Sequence, residues 1–384
     1  MLRFLDINRN SLTVKISIIC GAGMLSGKEI MALELGQGLR HAGHEIAYVT
    51  SLWGDGKFLS RLKELGFSVT SMRIGFISAT LTLECLRMTA DQLLCVPGLW
   101  LNYRRFLRNK TPDQIIHTNW HHLLILWPFL NPGRDWFWLH EMIPNKPQYR
   151  RVFGALSRRL RGFVPVSQAV KESLLHIGIP EDKIHVIHNG LADPVSVGGV
   201  PPKDWNGVRI AIAGQVAPWK GHQDLLEAFA LIVTRHPDSE LHVFGDGSAD
   251  FAAELKRLAE ALKLSARLVW HGFVADRCKI YGQMDLCVVP SRTPDPLPTA
   301  AIEAAFFGLP VIASRIGGLP EIIQHEVTGF LVDPSNPSEL ADRLDELLSD
   351  ASLRHRMCAA AAKHSRKHFS RDRFVAEFVS LMSK

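Results

Sequence analysis

No stretch of the 384-residue sequence is long and apolar enough for a spanning helix. The longest runs, 93–101 and 123–130, are interrupted by proline or glycine well short of the roughly 18 residues such a helix needs. No block recurs at a fixed period, and the 29 glycines and 21 prolines follow no triplet, which excludes solenoid and collagen-like architectures. The six cysteines, Cys20, Cys85, Cys95, Cys278, Cys287 and Cys358, include no two-residue spacing. Reduced core thiols are therefore expected, neither disulfides nor a zinc site. The first fourteen residues carry Arg3, Asp6 and Arg9 and lack the apolar stretch of an export signal, so the expected location is the cytoplasm.

What the sequence does have is apolar material for more than one core: 47% hydrophobic and 21% charged residues over a length that predicts two packed domains. Its net charge of +6 is unevenly spread. Residues 1–200 hold 23 Lys and Arg against 15 Asp and Glu, leaving 21 against 23 in the remainder. The excess gathers at 103–108 and 149–161, where arginines alternate with Tyr103, Phe106, Val152, Phe153, Leu156 and Leu160 at helical spacing. Two readings share that pattern: an interfacial helix on an anionic membrane, or a solvated helix whose apolar side packs on a sheet. No recognition motif accompanies the charge, so nucleic acid is not an expected partner.

Short β-branched runs alternate with helical patterns throughout, the signature of parallel sheets covered by helices on both faces. Strands are expected at 14–20, 45–50, 68–72, 114–117, 136–140, 163–166 and 183–188. After a proline- and glycine-rich segment at 192–207 they are expected again at 208–213, 240–244, 267–270, 286–290 and 311–314. Helices are expected at 28–42, 222–234, 250–262 and 299–307. The fold class is α/β: two Rossmann-like, doubly wound domains, 1–191 and 208–384, facing across a cleft, with 192–207 as the linker. The last helix is a candidate to pack back on the first domain.

In such sheets ligands bind beyond the carboxyl ends of the strands. Four strand-to-helix junctions stand out. The run Cys20-Gly21-Ala22-Gly23-Met24-Leu25-Ser26-Gly27-Lys28-Glu29 is a glycine loop whose helix amides, from Gly27 on, can meet an anion. It fails the spacing of a nucleotide-triphosphate loop, because Ala22 occupies a glycine position and Glu29 replaces the magnesium-binding hydroxyl. In Gly214-Gln215-Val216-Ala217-Pro218-Trp219-Lys220-Gly221-His222 a lysine is presented at a helix start, suited to neutralising a diphosphate. Phe244-Gly245-Asp246-Gly247-Ser248 is a tight turn that lets backbone approach a ring or phosphate. The fourth junction runs from Val289 through Asp295 to Glu303, placing a loop carboxylate eight residues before a second one. Glu303 falls among Ala300, Ala301, Ala304, Ala305, Phe306 and Phe307, so its charge needs a buried partner or a ligand.

These residues give the sequence a family resemblance. The acid, seven residues, glutamate stretch from Asp295 to Glu303, followed by Gly317-Gly318-Leu319-Pro320-Glu321, resembles the retaining glycosyltransferases of family 4, which have the GT-B fold. Gly214 with Lys220-Gly221, Val166-Ser167, His188-Asn189-Gly190 and Gly43-His44 extend the likeness over about 14–384. The resemblance implies a nucleotide-diphosphate sugar held by the second domain and a glycan or lipid-linked acceptor, of a cell-envelope polysaccharide, held by the first. It further implies that Glu303 binds the ribose, Asp295 the transferred sugar, and Lys220 the diphosphate together with Gln215 and the backbone of Leu297, Pro298 and Thr299. Base contacts would come from Gly245, Asp246, Phe273 and Val274. No cofactor is expected, and no Asp-x-Asp metal motif stands in a suitable loop.

Two positions depart from the family pattern. Gln215 stands where arginine usually assists the lysine, with Arg292 and Arg315 as conceivable replacements. Asn119 takes the register of a histidine near the reacting sugar, with His121 one turn further on, and His140 and Glu141 are acceptor-side candidates at the end of the next strand. Two other readings compete: a GT-B epimerase or inverting transferase, and a non-catalytic sugar-nucleotide-binding subunit.

Overall fold

The computed structural model describes residues 13–21, 27–77, 82–194 and 207–383. Part of the first glycine loop (22–26) and most of the expected linker (195–206) lie outside them.

The first half builds a six-stranded parallel sheet from β1 (Lys15–Ile19), β2 (Glu45–Ser51), β3 (Ser68–Met72), β4 (Gln114–His117), β5 (Asp135–Leu139) and β6 (Gly162–Pro165). Their spatial order is β3-β2-β1-β4-β5-β6. The second half repeats the plan with β7 (Val208–Ala213), β8 (Ser239–Phe244), β9 (Leu268–Gly272), β10 (Leu286–Val289), β11 (Val311–Ser314) and β12 (Gly329–Val332), in the order β12-β11-β10-β7-β8-β9. Inner strands such as β5 and β10 are largely apolar and fully buried because helices cover both faces, whereas the edge strand β3 is rich in Ser and Thr and only partly buried. Each sheet reverses its winding beside its first strand, between β1 and β4 and between β7 and β10. Those two switch points are where open sheets leave a crevice.

Helices α1 (Gly27–His41), α2 (Lys57–Glu64), α3 (Leu83–Lys110), α4 (Trp120–Ile125), α5 (Pro147–Ser157) and α6 (Gln168–His176) dress the first sheet. Helices α7 (His222–Ile232), α8 (Ala249–Ala261), α9 (Arg277–Tyr281), α10 (Thr299–Phe306), α11 (Leu319–Ile322), α12 (Pro337–Ser349) and α13 (Ala351–His368) follow the second half. The final helix, α14 (Arg371–Met382), returns to the first lobe. There Phe374 and Phe378 pack on Trp138, and Val375 closes on Gly38 of α1, where a Cβ would overlap it.

One expectation is corrected and one strand is added. Residues 183–188 form no ladder: a 3-10 turn over Glu181–Lys183 leads to a single parallel bridge between Ile184 and Phe163. β12, Gly329–Val332, was not anticipated. In both basic segments the apolar residues named from sequence face inward: Phe153, Leu156 and Leu160 are fully buried in the sheet-covering core, and Tyr103 and Phe106 of α3 are buried against the first sheet. Packing against the sheet accounts for these apolar residues. None of the six cysteines is in a disulfide, and burial pushes the Cys20 and Cys287 thiols up to about 12, which keeps them inert.

Candidate functional site

Backbone geometry brings the junctions of the second lobe together. Gly214 (φ 145°) and Gly245 (φ 136°) lie so close that a Cβ on Gly245 would occupy the Gly214 carbonyl. The Val216 N–H donates to the Asp246 carbonyl at 2.9 Å, zipping the two turns. Past Val216, one 3-10 turn (Pro218–Lys220) ends at Gly221, whose left-handed φ of 73° starts α7. A Cβ there would strike the Pro290 carbonyl, and the Arg292 N–H donates to the Trp219 carbonyl at 2.8 Å. The lysine turn is thereby fixed against the loop that leaves β10.

That loop carries Asp295. The Lys220 ammonium stands 2.6 Å from Asp295 Oδ2 and 4.2 Å from the centre of the Trp219 ring. Behind Asp295 the Gly317-Gly318 turn presses on its backbone: Gly317 has φ 60°, and the Gly318 N–H donates to the Asp295 carbonyl at 2.8 Å. One turn into α10, Glu303 Oε1 meets Arg277 Nε at 3.1 Å, and its Oε2 lies 3.3 Å from the Tyr281 hydroxyl. Burial raises the Glu303 carboxyl above its ordinary 4.5, against the pull of Arg277. Glu303 is thus a buried carboxylate with a partner that still faces open space.

The space is a cleft of about 810 Å³ between the lobes. It is lined by Lys220, Asp295 and Glu303, with Gln215, Gly245, Asp246, Phe273, Val274, Leu297, Pro298 and Thr299 from the second lobe and Gly27, Asn119, His121, His140 and Glu141 from the first. Every residue that the sequence reading assigned to the donor or the acceptor side therefore borders one cavity, of a size suited to a large ligand. Two of them are constrained by local structure. Asn119 caps α4, its Oδ1 accepting from the His121 N–H at 2.9 Å, and His121 stacks on Trp120 with centroids 3.7 Å apart.

The first-lobe wall is also tuned electrostatically. Burial lowers His121 to about 4, with a further push from the Lys28 charge, and burial plus Lys28 lower His140 to about 3. Both imidazoles are neutral near pH 7. The buried His140 Nε2 has no hydrogen-bond partner among the described residues, so it is available to a ligand. Burial raises Glu141, and Lys28 opposes that shift.

Both family profiles that match are glycosyltransferase profiles. "Glycosyltransferase Family 4" covers residues 25–193 and "Glycosyl transferases group 1" covers 201–364, so the pair follows the two sheets. The chain belongs to glycosyltransferase family 4.

This family 4 chain is 32% identical over 232 residues to an uncharacterized glycosyltransferase of Methanocaldococcus jannaschii, spanning 57% of the chain and 58% of that relative. It is 36% identical over 166 residues to the D-inositol 3-phosphate glycosyltransferase of Corynebacterium glutamicum, spanning 41% and 39%. The matches thus span less than two thirds of these relatives. The GT-B fold is matched over nearly the whole length: the Anabaena HepE structure in complex with UDP superposes with a TM-score of 0.80 at 20% identity, covering 96% of this chain and 100% of that one. Sucrose-phosphate synthase from Thermosynechococcus elongatus gives 0.75 at 19% identity, covering 96% and 98%.

Among the cleft residues of the family 4 chain that were not made site candidates from sequence are Lys28 and Tyr281, and Arg277 behind Glu303 was missed as well. Lys28 was signalled by its place at a strand-to-helix junction. Arg277 and Tyr281 carry no local signal, since only the tertiary fold sets α9 beside α10. Neither conceivable substitute for the departed arginine reaches the cleft wall. Arg292 forks onto Asp224 at 2.7 and 2.8 Å, and Arg315 donates to the Leu331 carbonyl at 3.0 Å. Lys28, from the opposite lobe, is the further cation that borders the space.

Proposed function

We propose that the protein is a retaining glycosyltransferase that moves a sugar from a nucleotide-diphosphate donor to a glycan or lipid-linked acceptor of the cell envelope. The observation that carries this reading is the Lys220–Asp295 pair set within the same cleft as Glu303. Pairing to a carboxylate holds the ammonium group aimed at the cleft, and an incoming diphosphate can take over that contact while Asp295 turns to sugar hydroxyls. Glu303, already an acceptor for the Arg277 guanidinium, presents its remaining lone pairs to ribose hydroxyls. Gly245, Asp246, Phe273 and Val274 border the base end.

Transfer breaks the bond between the anomeric carbon and the diphosphate while a bond to the acceptor oxygen forms on the same face. Positive charge develops on the sugar and negative charge on the departing phosphates. Lys220, once Asp295 has turned to the sugar, and the amides opening α10, whose N-cap Pro298 supplies no side-chain cap, would stabilise that negative charge. We infer that the reaction needs no metal ion, because an ammonium group and helix amides can meet the charge that develops on the leaving diphosphate. Neutral His140 and Glu141 would receive the acceptor hydroxyl. A lipid-linked acceptor would bring the protein to the cytoplasmic face of the membrane, and among the described residues no helix is long and apolar enough to cross it.

Incubation with a panel of uridine, guanosine and adenosine diphosphate sugars, with release of the nucleotide as readout, tests the reading. Release with one donor, and an α-linked product from an α-linked donor, is the expected result; an inverted product removes the retaining assignment. Gln215, at the position where the family resemblance expects arginine, favours the second reading, a non-catalytic sugar-nucleotide-binding subunit. Nucleotide binding with no release from any donor would establish that reading instead.

A further inference from the structure

Seven of the twelve exposed large apolar side chains among the described residues sit on the single helix α3, so its outer face is the exceptional apolar surface of the protein. Leu94 is 81% exposed and Leu83 66%. At 100° per residue, Leu83, Leu86, Leu94 and Leu101 fall on one stripe, with Leu93 and Trp100 on its flank. The same stripe continues through Arg104, Arg105 and Arg108, and Arg87 lies at its edge. The inward face is a different set: Gln92, Leu99, Tyr103 and Phe106 are buried against the first sheet. The helix is therefore apolar on two sides, which packing against one sheet does not require.

We propose that the outer stripe of α3 docks on the surface of an anionic lipid bilayer, leucines entering the headgroup boundary and arginines meeting lipid phosphates. Charge decides the occupant. The two acidic residues of α3, Glu84 and Asp91, lie to one side of the stripe, and none lies within it. A second copy of the chain would set arginines against arginines in a parallel pairing, or over Leu83 and Leu86 in an antiparallel one, without a carboxylate to receive them. An anionic membrane supplies both the apolar phase and the negative charge along the whole stripe. The inference rests on the proposed transfer reading only for its purpose. Gln92, fully buried on α3, accepts from the Gly75 N–H at 2.7 Å and so ties the helix to the loop whose Phe76 lines the cleft. A docked α3 would hold the acceptor side of the cleft near the lipid surface.

Co-sedimentation of the full chain with vesicles of phosphatidylcholine, with and without phosphatidylglycerol, tests the surface, with UDP titrated against the same samples. The native chain is expected to bind the anionic vesicles at least about tenfold more tightly than the neutral ones, and to lose binding as salt rises. Replacing Leu83, Leu94 and Leu101 together by serine should weaken that binding about tenfold or more while the UDP titration stays unchanged, which shows the variant folded. A milder variant, Arg104→Gln with Arg105→Gln, should flatten the salt dependence. Absence of vesicle binding, or binding that survives the serine variant, overturns the proposal, as does a dimer of the native chain that the serine variant dissolves. Vesicle binding by a chain that binds no UDP or other donor nucleotide would instead remove the transfer reading and leave the docking surface standing.

Discussion

Arg277 holds the donor-lobe carboxylate Glu303 at 3.1 Å and reaches across to Glu34 of α1 at 3.4 Å, where Arg371 also approaches at 3.6 Å. Its charge is what opposes the rise of Glu303 caused by burial. In Arg277→Gln the carboxyl rises further, so more of it is protonated at any given pH. Nucleotide affinity should then drop about tenfold, roughly 1.4 kcal/mol, and should recover as pH increases from 6 to 8. Calorimetric titrations over that range check this, with Arg277→Lys expected to restore most of the affinity. A pH-independent loss would mean that Arg277 acts only by bracing the lobes. This residue also marks the limit of reading from sequence. Lys220, Asp295 and Glu303 were legible because each stands at a fixed offset from a strand end, and the parallel sheet brings those ends to one edge. Arg277 and Tyr281 act through contacts between α9 and α10, and no spacing along the chain encodes which helices touch.

Among the elements, the Gly317-Gly318 turn shows how a motif positions chemistry without touching a ligand. A Cβ on Gly317 would overlap the Asp295 carbonyl, and φ 60° is unfavourable for alanine as well. Gly317→Ala should cost about 2 kcal/mol of stability, read from denaturant midpoints, and should weaken donor binding by displacing Asp295 from Lys220. Unaltered donor affinity in a destabilised variant would separate the turn from the site. Elements were legible where periodicity was strong, as in β1, β2, α1 and α8, and failed where it was short or shared. Residues 183–188 have strand composition but run beside β6 with one bridge only. The arginine-bearing helices have the moment of an interfacial helix because a sheet-covering helix has it too. The structure separates the cases by showing Phe153 and Leu156 buried while Leu94 and Leu101 are exposed.

The lobes are joined at more than the chain crossing. Glu321, in the second lobe, accepts from the Gln168 and Ala169 N–H groups at 2.7 and 3.0 Å, opening α6, and pairs with His188 at 2.7 Å. Several histidines in this assembly are buried neutral: burial lowers His121 and His222 to about 4, His140 to about 3, and His122 well below 6.5. The unfolded chain binds protons at these sites from 6.5 downward while the folded one does not, so their contribution is intact above 6.5 and fades as pH falls toward 4. Glu141 and Glu303, raised in the fold, act oppositely just above 4.5, but they are fewer. Stability should fall by roughly 5 kcal/mol between pH 7 and 4.5. Thermal melts across that range check it, and a flat profile would contradict the neutral histidines.

The central claim concerns the leaving group, and titration with matched nucleoside diphosphate and monophosphate pairs reaches it most directly. For whichever of the uridine, guanosine or adenosine pairs binds, the diphosphate should bind at least about tenfold more tightly, and Lys220→Ala should erase that margin while leaving monophosphate affinity nearly unchanged. Equal affinities in the native chain, or a margin that survives the loss of the ammonium, would contradict the account.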